Sequence, residues 1–123
     1  MKKLLLALVA SGFLIVNAGF AQASAPKSVI HVITVKWKSD ASQAQIDKAL
    51  QAVAALPSKY PGIQHVWTKP IKKQLPEGYN TVIVMEFASE DALKQYVDSA
   101  AQKKFYEVYM PIREESRTSD ITN

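Results

Sequence analysis

The pattern of apolar and polar positions after residue 28 predicts alternating strands and helices. Residues 29–37 (VIHVITVKW) are rich in β-branched and aromatic side chains and contain neither Gly nor Pro, which favours a strand. Alternation places these side chains on one face: Val29, His31, Ile33, Val35 and Trp37. The other face carries Ile30, Val32, Thr34 and Lys36. Both faces are largely apolar, so both are expected to be covered.

A helix is predicted after this strand. Ser42 and Gln45 have the spacing of a capping box. The apolar residues that follow recur at helical intervals: Ile46, Ala49, Leu50, Val53, Ala54 and Leu56. Pro57 is expected to end this helix, and Tyr60-Pro61-Gly62 is expected to form the next turn.

The second half of the chain predicts two more strands and a second helix. The strands are residues 63–69 and 79–87, separated by a polar loop over residues 72–78. Ser89 followed by two acids is typical of a helix start. One apolar stripe continues from there: Leu93, Tyr96, Val97, Ala100, Ala101 and Phe105.

The C-terminal segment, residues 112–123, is expected to be either an edge strand or an extended tail. The order of elements calls for a fourth strand, yet residues 113–120 contain no aliphatic side chain. The predicted order β-α-β-β-α-β is that of an α+β ferredoxin-like fold, with two helices on one face of a four-stranded antiparallel sheet. Two helices cannot cover the second face of the sheet. We therefore expect a homodimer formed through the face that carries Ile30, Val32 and Thr34.

The first 23 residues are expected to be a signal peptide and not part of the fold. Lys2 and Lys3 precede an uncharged run over residues 4–16, and Ala21-Gln22-Ala23 is typical of a cleavage site. Cleavage would leave a domain of residues 24–123, periplasmic or secreted, with no stable membrane anchor. The alternative is an anchor that is never cut, which Gly and Asn residues in the apolar stretch make less favourable.

Composition narrows the chemistry. The chain has no cysteine, which excludes disulfides, thiolate nucleophiles and cysteine metal sites. Its net charge is +4, and removing Lys2 and Lys3 would leave 13 basic against 11 acidic residues, or +2. So mild and scattered a charge argues against a nucleic-acid partner. The chain has two histidines and no carboxylate cluster near them, so no metal site is expected. It also has no phosphate-binding or dinucleotide-binding motif, so no cofactor is expected.

Four segments together resemble the stress-responsive A/B barrel (Dabb) family: VIHVITVKWK, YPGI, EGYNTVIVMEF and SEDALKQYVDSAAQKKF. The most specific positions are His31, the Gly78-Tyr79 entry to the third strand, and Tyr96. The resemblance covers nearly all of residues 24–123. It implies a ferredoxin-like monomer that pairs, sheet facing sheet, into a dimeric α+β barrel.

The resemblance also implies candidate chemistry. Polyketide cyclases of this type use a His and a Tyr as acid–base partners; the catalytic Tyr position falls on Tyr96, and the family's pocket His of the first strand falls on His31. The family's His-Pro-Ala-His stretch falls on Ser99-Ala100-Ala101-Gln102, so both of its histidines are replaced and Gln102 occupies the position of the base. A glutamine amide cannot take a proton near neutral pH. The expected function is therefore a non-catalytic module that binds a small apolar or aromatic ligand or acts in stress, with a lyase, isomerase or cyclase using His31 and Tyr96 as the alternative.

The ligand pocket is expected between the helices and the sheet. Its predicted lining is His31, Ile33, Val35, Trp37, Tyr96, Gln102 and Phe105. An imidazole can act as a base near neutral pH, although a buried histidine with one hydrogen-bond partner is the alternative for His31. A hydrogen bond between Tyr96 and His31 is expected, because a buried phenol usually finds a partner.

Overall fold

The computed structural model describes residues 25–123, so the predicted signal peptide lies outside the described residues. In this part of the chain, four strands and four helices follow one another: β1 (Val29–Trp37), α1 (Gln43–Ala54), α2 (Leu56–Lys59), β2 (Ile63–Trp67), β3 (Thr81–Phe87), α3 (Glu90–Tyr96), α4 (Ala100–Tyr109) and β4 (Arg113–Ile121). The predicted α+β order is confirmed, with each predicted helix divided into two.

The strands form one antiparallel sheet in the order β2-β3-β1-β4. β4 pairs with β1 from Ile30↔Ile121 to Trp37↔Arg113, so residues 113–121 are an edge strand and not a tail. An edge strand needs only backbone pairing on one side, which explains how a segment without aliphatic residues before Ile121 can join the sheet.

The two faces of the sheet are covered unequally. The predicted inward face of β1 is confirmed, and the buried strand residues are Val29, Ile33, Val35, Trp37, Ile63, Ile83, Met85 and Phe87. On the opposite face, Ile30, Val32, Val82 and Val84 keep intermediate exposure. A break in the β2–β3 register between Ile63 and His65 turns the exposed end of β2 toward this open face.

The first helix begins as predicted and ends earlier. Ser42 Oγ accepts from the Gln45 backbone N–H at 3.2 Å, and Gln45 Oε1 accepts from the Ser42 N–H at 2.9 Å, which is the predicted capping box. The prediction that Pro57 ends this helix is wrong. α1 ends at Ala54, and Pro57 lies in the first turn of α2, where its missing N–H leaves no hydrogen bond unmade.

The second predicted helix is interrupted between Tyr96 and Ala100. Val97 has an extended ψ of 127°, and Asp98 has a left-handed φ of 64°. Ser99 then starts α4 by accepting a hydrogen bond from the Gln102 N–H at 3.2 Å. Asp tolerates the left-handed region better than most residues, and Ser is a strong helix cap, so the sequence Asp-Ser suits this break. The interruption turns α4 so that Gln102 is buried.

Candidate functional site

A cavity of about 350 Å³ lies between the β1–β4 pair and helices α3 and α4. Its walls combine aromatic rings with polar groups: His31, Ile33, Leu93, Tyr96, Val97, Asp98, Gln102, Tyr106, Tyr109, Arg113, Ser116 and Thr118. Three polar residues of the edge strand β4 face this space: Arg113, Ser116 and Thr118.

His31 is paired with a carboxylate that the sequence analysis did not identify. Asp120 lies directly opposite His31 in the β1–β4 register, and its Oδ1 is 2.5 Å from His31 Nδ1. The histidine side chain is 16% exposed and the aspartate side chain 47%. A carboxylate on Nδ1 fixes the tautomer with the proton there, which leaves Nε2 to accept a proton from a ligand. Predicting this pair from the sequence would have required the pairing register of β4 with β1.

Tyr96 lines the same cavity as His31, but the two side chains are not hydrogen-bonded. The ring of Phe87 packs against both, with centroids 5.8 Å from His31 and 5.3 Å from Tyr96. Within residues 25–123, the buried Tyr96 hydroxyl has no hydrogen-bond partner. Burial, helped by nearby Tyr106, raises the pKa of Tyr96 above its ordinary value. Tyr96 is therefore suited to donate a hydrogen bond and not to act as a base.

Gln102 is held at both ends of its amide. Its Oε1 accepts from the Asp98 backbone N–H at 2.7 Å, and its Nε2 donates to the Tyr106 hydroxyl at 3.3 Å. The side chain thus ties the left-handed residue between α3 and α4 to the helix that follows. The buried amide lines the cavity and stabilises its wall, and its chemistry allows no proton transfer at neutral pH.

Tyr109 and Arg113 belong to this cavity although the sequence analysis did not select them. The Tyr109 hydroxyl and Arg113 Nε are buried without hydrogen-bond partners in the described part of the chain. The guanidinium lies 5.6 Å from the Tyr109 ring centroid, and its Nη1 donates to Ser116 Oγ at 3.2 Å. Burial raises the pKa of Tyr109, although Ser116 and Arg113 beside its hydroxyl act in the opposite direction.

The structure divides the predicted pocket residues into two groups. His31, Ile33, Tyr96 and Gln102 line the cavity, whereas Val35, Trp37 and Phe105 do not. Val35 is buried in the core, and Phe105 stacks behind the lining on Tyr109 at 4.8 Å. Trp37 lies farther along β1, where it borders a separate cavity with residues of α1 and donates from Nε1 to Thr81 Oγ1 at 2.7 Å. A strand advances about 3.3 Å per residue, so the side chains on one face of β1 extend beyond a single small cavity.

The second histidine lies on the open face of the sheet. His65 Nδ1 is 2.6 Å from Glu86 Oε2, and the imidazole lowers the pKa of that carboxyl. The ring also packs near Trp67, at 5.7 Å between centroids. Within residues 25–123, the His, Asp and Glu side chains form no group of three that could hold a metal ion.

Comparisons with known proteins agree with this architecture. Residues 29–123 match the Stress responsive A/B Barrel Domain, Dabb. Olivetolic acid cyclase of Cannabis sativa is 27% identical over 97 residues, covering 77% of this chain and 96% of the cyclase. Hydroxynitrile lyase from Passiflora edulis superimposes with a TM-score of 0.71 at 19% identity, covering 80% of this chain and 94% of the lyase.

A dimeric ferredoxin-like protein of unknown function from Thermobifida fusca superimposes with a TM-score of 0.65 at 14% identity. That match covers 78% of this chain and 91% of the other. Structural likeness at such low identity shows a shared fold and not a shared reaction.

Fold and site together define a ferredoxin-like α+β protein with a mixed aromatic and polar cavity between its sheet and two consecutive helices. The chain belongs to the stress-responsive A/B barrel (Dabb) family. The family predicted from the four sequence segments is therefore confirmed.

Proposed function

We propose that this protein is a small-molecule enzyme of the lyase, isomerase or cyclase type that moves a proton on a ligand held in the β4-side cavity. The observation that carries the proposal is the 2.5 Å contact between His31 Nδ1 and Asp120 Oδ1. It orients an imidazole as a base in a site where buried phenols can donate hydrogen bonds. The loss of the motif histidine at Gln102 removes one base from the family's pattern, and His31 with Asp120 would supply another.

The proposed reaction step uses only residues of this chain. His31 Nε2 would take a proton from a carbon next to a carbonyl group. The electron pair of that C–H bond would form a carbon–carbon double bond, and the π pair of the carbonyl group would move to its oxygen. The Tyr96 hydroxyl, kept protonated by the rise in its pKa, would donate to that oxygen as negative charge develops. Returning the proton from His31 to a different atom completes an isomerisation. Such a step needs no cofactor.

The named relatives support chemistry on a small organic molecule. One is called a cyclase and another a hydroxynitrile lyase. The two names describe different reactions, so they support the class of ligand more than any one transformation.

Proton transfer can be tested with phenylacetone in D₂O, following the loss of its acidic C–H signals by proton NMR. The wild-type protein should speed exchange over buffer, and His31→Ala should lower the enzyme-dependent rate by roughly 10²–10⁴. Asp120→Asn should lower it as well, because the imidazole loses the group that orients it. His65→Ala is the matched control, since His65 forms a similar pair with Glu86 on the other sheet face. Exchange equal to buffer, or unchanged in His31→Ala, would contradict the proposal.

A binding-only module is the second candidate, and the engagement of both amide ends of Gln102 favours it. In that case His31→Ala and Tyr96→Phe would change ligand affinity or stability, and no variant would lose turnover. The same set of variants therefore separates the two candidates.

We also propose that the open sheet face forms a homodimer. Trp67 is 51% exposed and Ile121 61%, beside the partly exposed Val32, Val82 and Val84. An apolar surface of this kind favours association. Solved relatives of this fold are described as dimeric, which supports the same arrangement.

Export is proposed from the sequence alone. Lys2, Lys3, the apolar run and Ala21-Gln22-Ala23 support a signal peptide that is cleaved after Ala23 and a periplasmic or secreted domain. No helix within residues 25–123 is long and apolar enough to span a membrane.

A further inference from the structure

Arg113 is a cation whose neighbours do not neutralise it. The two acids that follow it pair elsewhere: Glu114 lies 2.7 Å from Lys36, and Glu115 lies 3.7 Å from Arg117. None of the ion pairs formed among residues 25–123 includes Arg113. A partly buried guanidinium without a carboxylate is unusual, because burying an unpaired charge costs free energy.

The guanidinium is also held in place. Its Nη1 donates to Ser116 Oγ, and its Cζ lies over the Tyr109 ring, 5.6 Å from the centroid. These contacts leave Nε inside the protein without a partner, next to a Tyr109 hydroxyl that is equally unpaired within the described residues. Both residues line the cavity, and their two unpaired donors lie in its wall, where an oxygen ligand that carries negative charge would satisfy them.

This pair is distinct from the acid–base end of the same cavity. Along β4, Asp120 lies opposite His31, Thr118 opposite Ile33, and Ser116 opposite Val35. The distance from Asp120 to Ser116 along an extended strand is roughly 13 Å. One molecule with two functional groups could therefore reach both His31 and the Arg113–Tyr109 pair.

We propose that Arg113 and Tyr109 recognise a carboxylate, so that the ligand of this cavity is a small carboxylic acid with a second, reactive group toward His31. This inference rests on the proposed function for the role of the His31 end, whereas the anion site itself stands on Arg113 and Tyr109. A carboxylate matches the fork of donors on a guanidinium. A phosphate dianion fits less well, because Asp98 and Asp120 also belong to the cavity or its rim and would repel it more strongly.

Benzoate and benzamide are suitable probes, because they share an aromatic ring and a shape but differ in charge. Titration of the purified protein by calorimetry should show benzoate binding at least about tenfold more tightly than benzamide. Arg113→Gln should weaken benzoate binding about tenfold to hundredfold, as expected for the loss of a charge-assisted hydrogen bond, and leave benzamide nearly unchanged. Arg113→Lys should recover part of the benzoate affinity, since it restores the charge.

Arg117→Gln is the matched control, because Arg117 is an exposed arginine of the same strand that pairs with Glu77 and Glu115. It should bind both probes as the wild type does. Circular dichroism would establish that each variant is folded. Equal wild-type affinity for benzoate and benzamide, no binding of benzoate, or benzoate binding unaffected by Arg113→Gln would overturn the proposal. Tighter binding of phenyl phosphate than of benzoate would overturn the choice of a carboxylate.

The result separates this inference from the proposed function. Loss of benzoate selectivity in Arg113→Gln with no proton exchange in the wild type would support the anion site and refute the enzyme. Proton exchange that depends on His31, combined with no preference for benzoate, would do the reverse.

Discussion

The buried hydroxyl of Tyr96, which lines the cavity, also affects how the stability of the fold depends on pH. Its hydroxyl is buried without a partner among the described residues, and burial raises its pKa above the ordinary value of 10. The folded protein therefore holds this proton more tightly than the unfolded chain does. The corresponding stability is complete below pH 10 and is lost as pH rises toward the folded-state pKa.

Tyr96→Phe should therefore reduce the alkaline loss of stability. Removing the hydroxyl also removes an unpaired polar group, so the variant should be at least as stable as the wild type near pH 7. Urea denaturation at about pH 7 and about pH 11 would measure both effects. A free energy of unfolding that falls equally steeply with pH in wild type and variant would contradict this account of Tyr96.

Asp120 is a site residue that could not be identified from its residue type alone. It lies in a polar segment with several other charged side chains, and nothing local sets it apart. Its position opposite His31 depends on the pairing register of β4, which is fixed by contacts along the whole strand.

At the scale of elements, the junction of α3 and α4 is built from three adjacent features. Val97 leaves the helix, Asp98 takes a left-handed conformation, and Ser99 begins the next helix. Gln102 completes the junction by accepting from the Asp98 N–H. The Ser99-x-x-Gln102 spacing is that of a capping box, which is the sequence signal for this second helix start.

Gln102→Met should destabilise the fold by about 1–3 kcal/mol, because the Asp98 N–H loses its acceptor while the side-chain volume changes little. Chemical denaturation would measure the change. Gln51→Met is the matched control, since Gln51 is exposed on α1 and should change stability by less than about 0.5 kcal/mol. Equal effects of the two substitutions would show that the Asp98–Gln102 hydrogen bond does not stabilise the junction.

At the scale of the whole molecule, helices α1 to α4 leave one sheet face open within residues 25–123. Val32→Asp should shift the protein from dimer to monomer, because burying an unpaired charge in an interface costs several kcal/mol. Light scattering at tens of micromolar would measure the mass. Ala54→Asp, on the exposed surface of α1, should leave the mass unchanged. A wild-type mass of one subunit would refute the dimer.

The proposed export also concerns the whole chain. We expect protein recovered from the cell envelope to begin at Ser24, because Ala21-Gln22-Ala23 supplies small residues at the cleavage positions. N-terminal sequencing would measure this directly. Retention of Met1 on membrane-bound protein would favour the uncut anchor instead.

The sequence by itself determined the order of the first three strands and their helical connections, the inward face of β1, the start of α1 and the family. Each depends on a local pattern: alternation for the strand, helical spacing and a cap for α1, and four family-like segments. His31 and Tyr96 were selected from the same segments, and both line the cavity.

The tertiary structure decided which side chains share that cavity. The interruption after Tyr96 directs Gln102 inward, and the β1–β4 register brings Asp120 to His31. Arg113 and Tyr109 become candidate ligand-binding residues only because the described fold leaves a donor atom of each without a partner. The fold also places Val35, Trp37 and Phe105 in the hydrophobic core and not in the cavity lining. These outcomes depend on contacts between residues far apart in the chain, and a local pattern of residue types carries no information about such contacts.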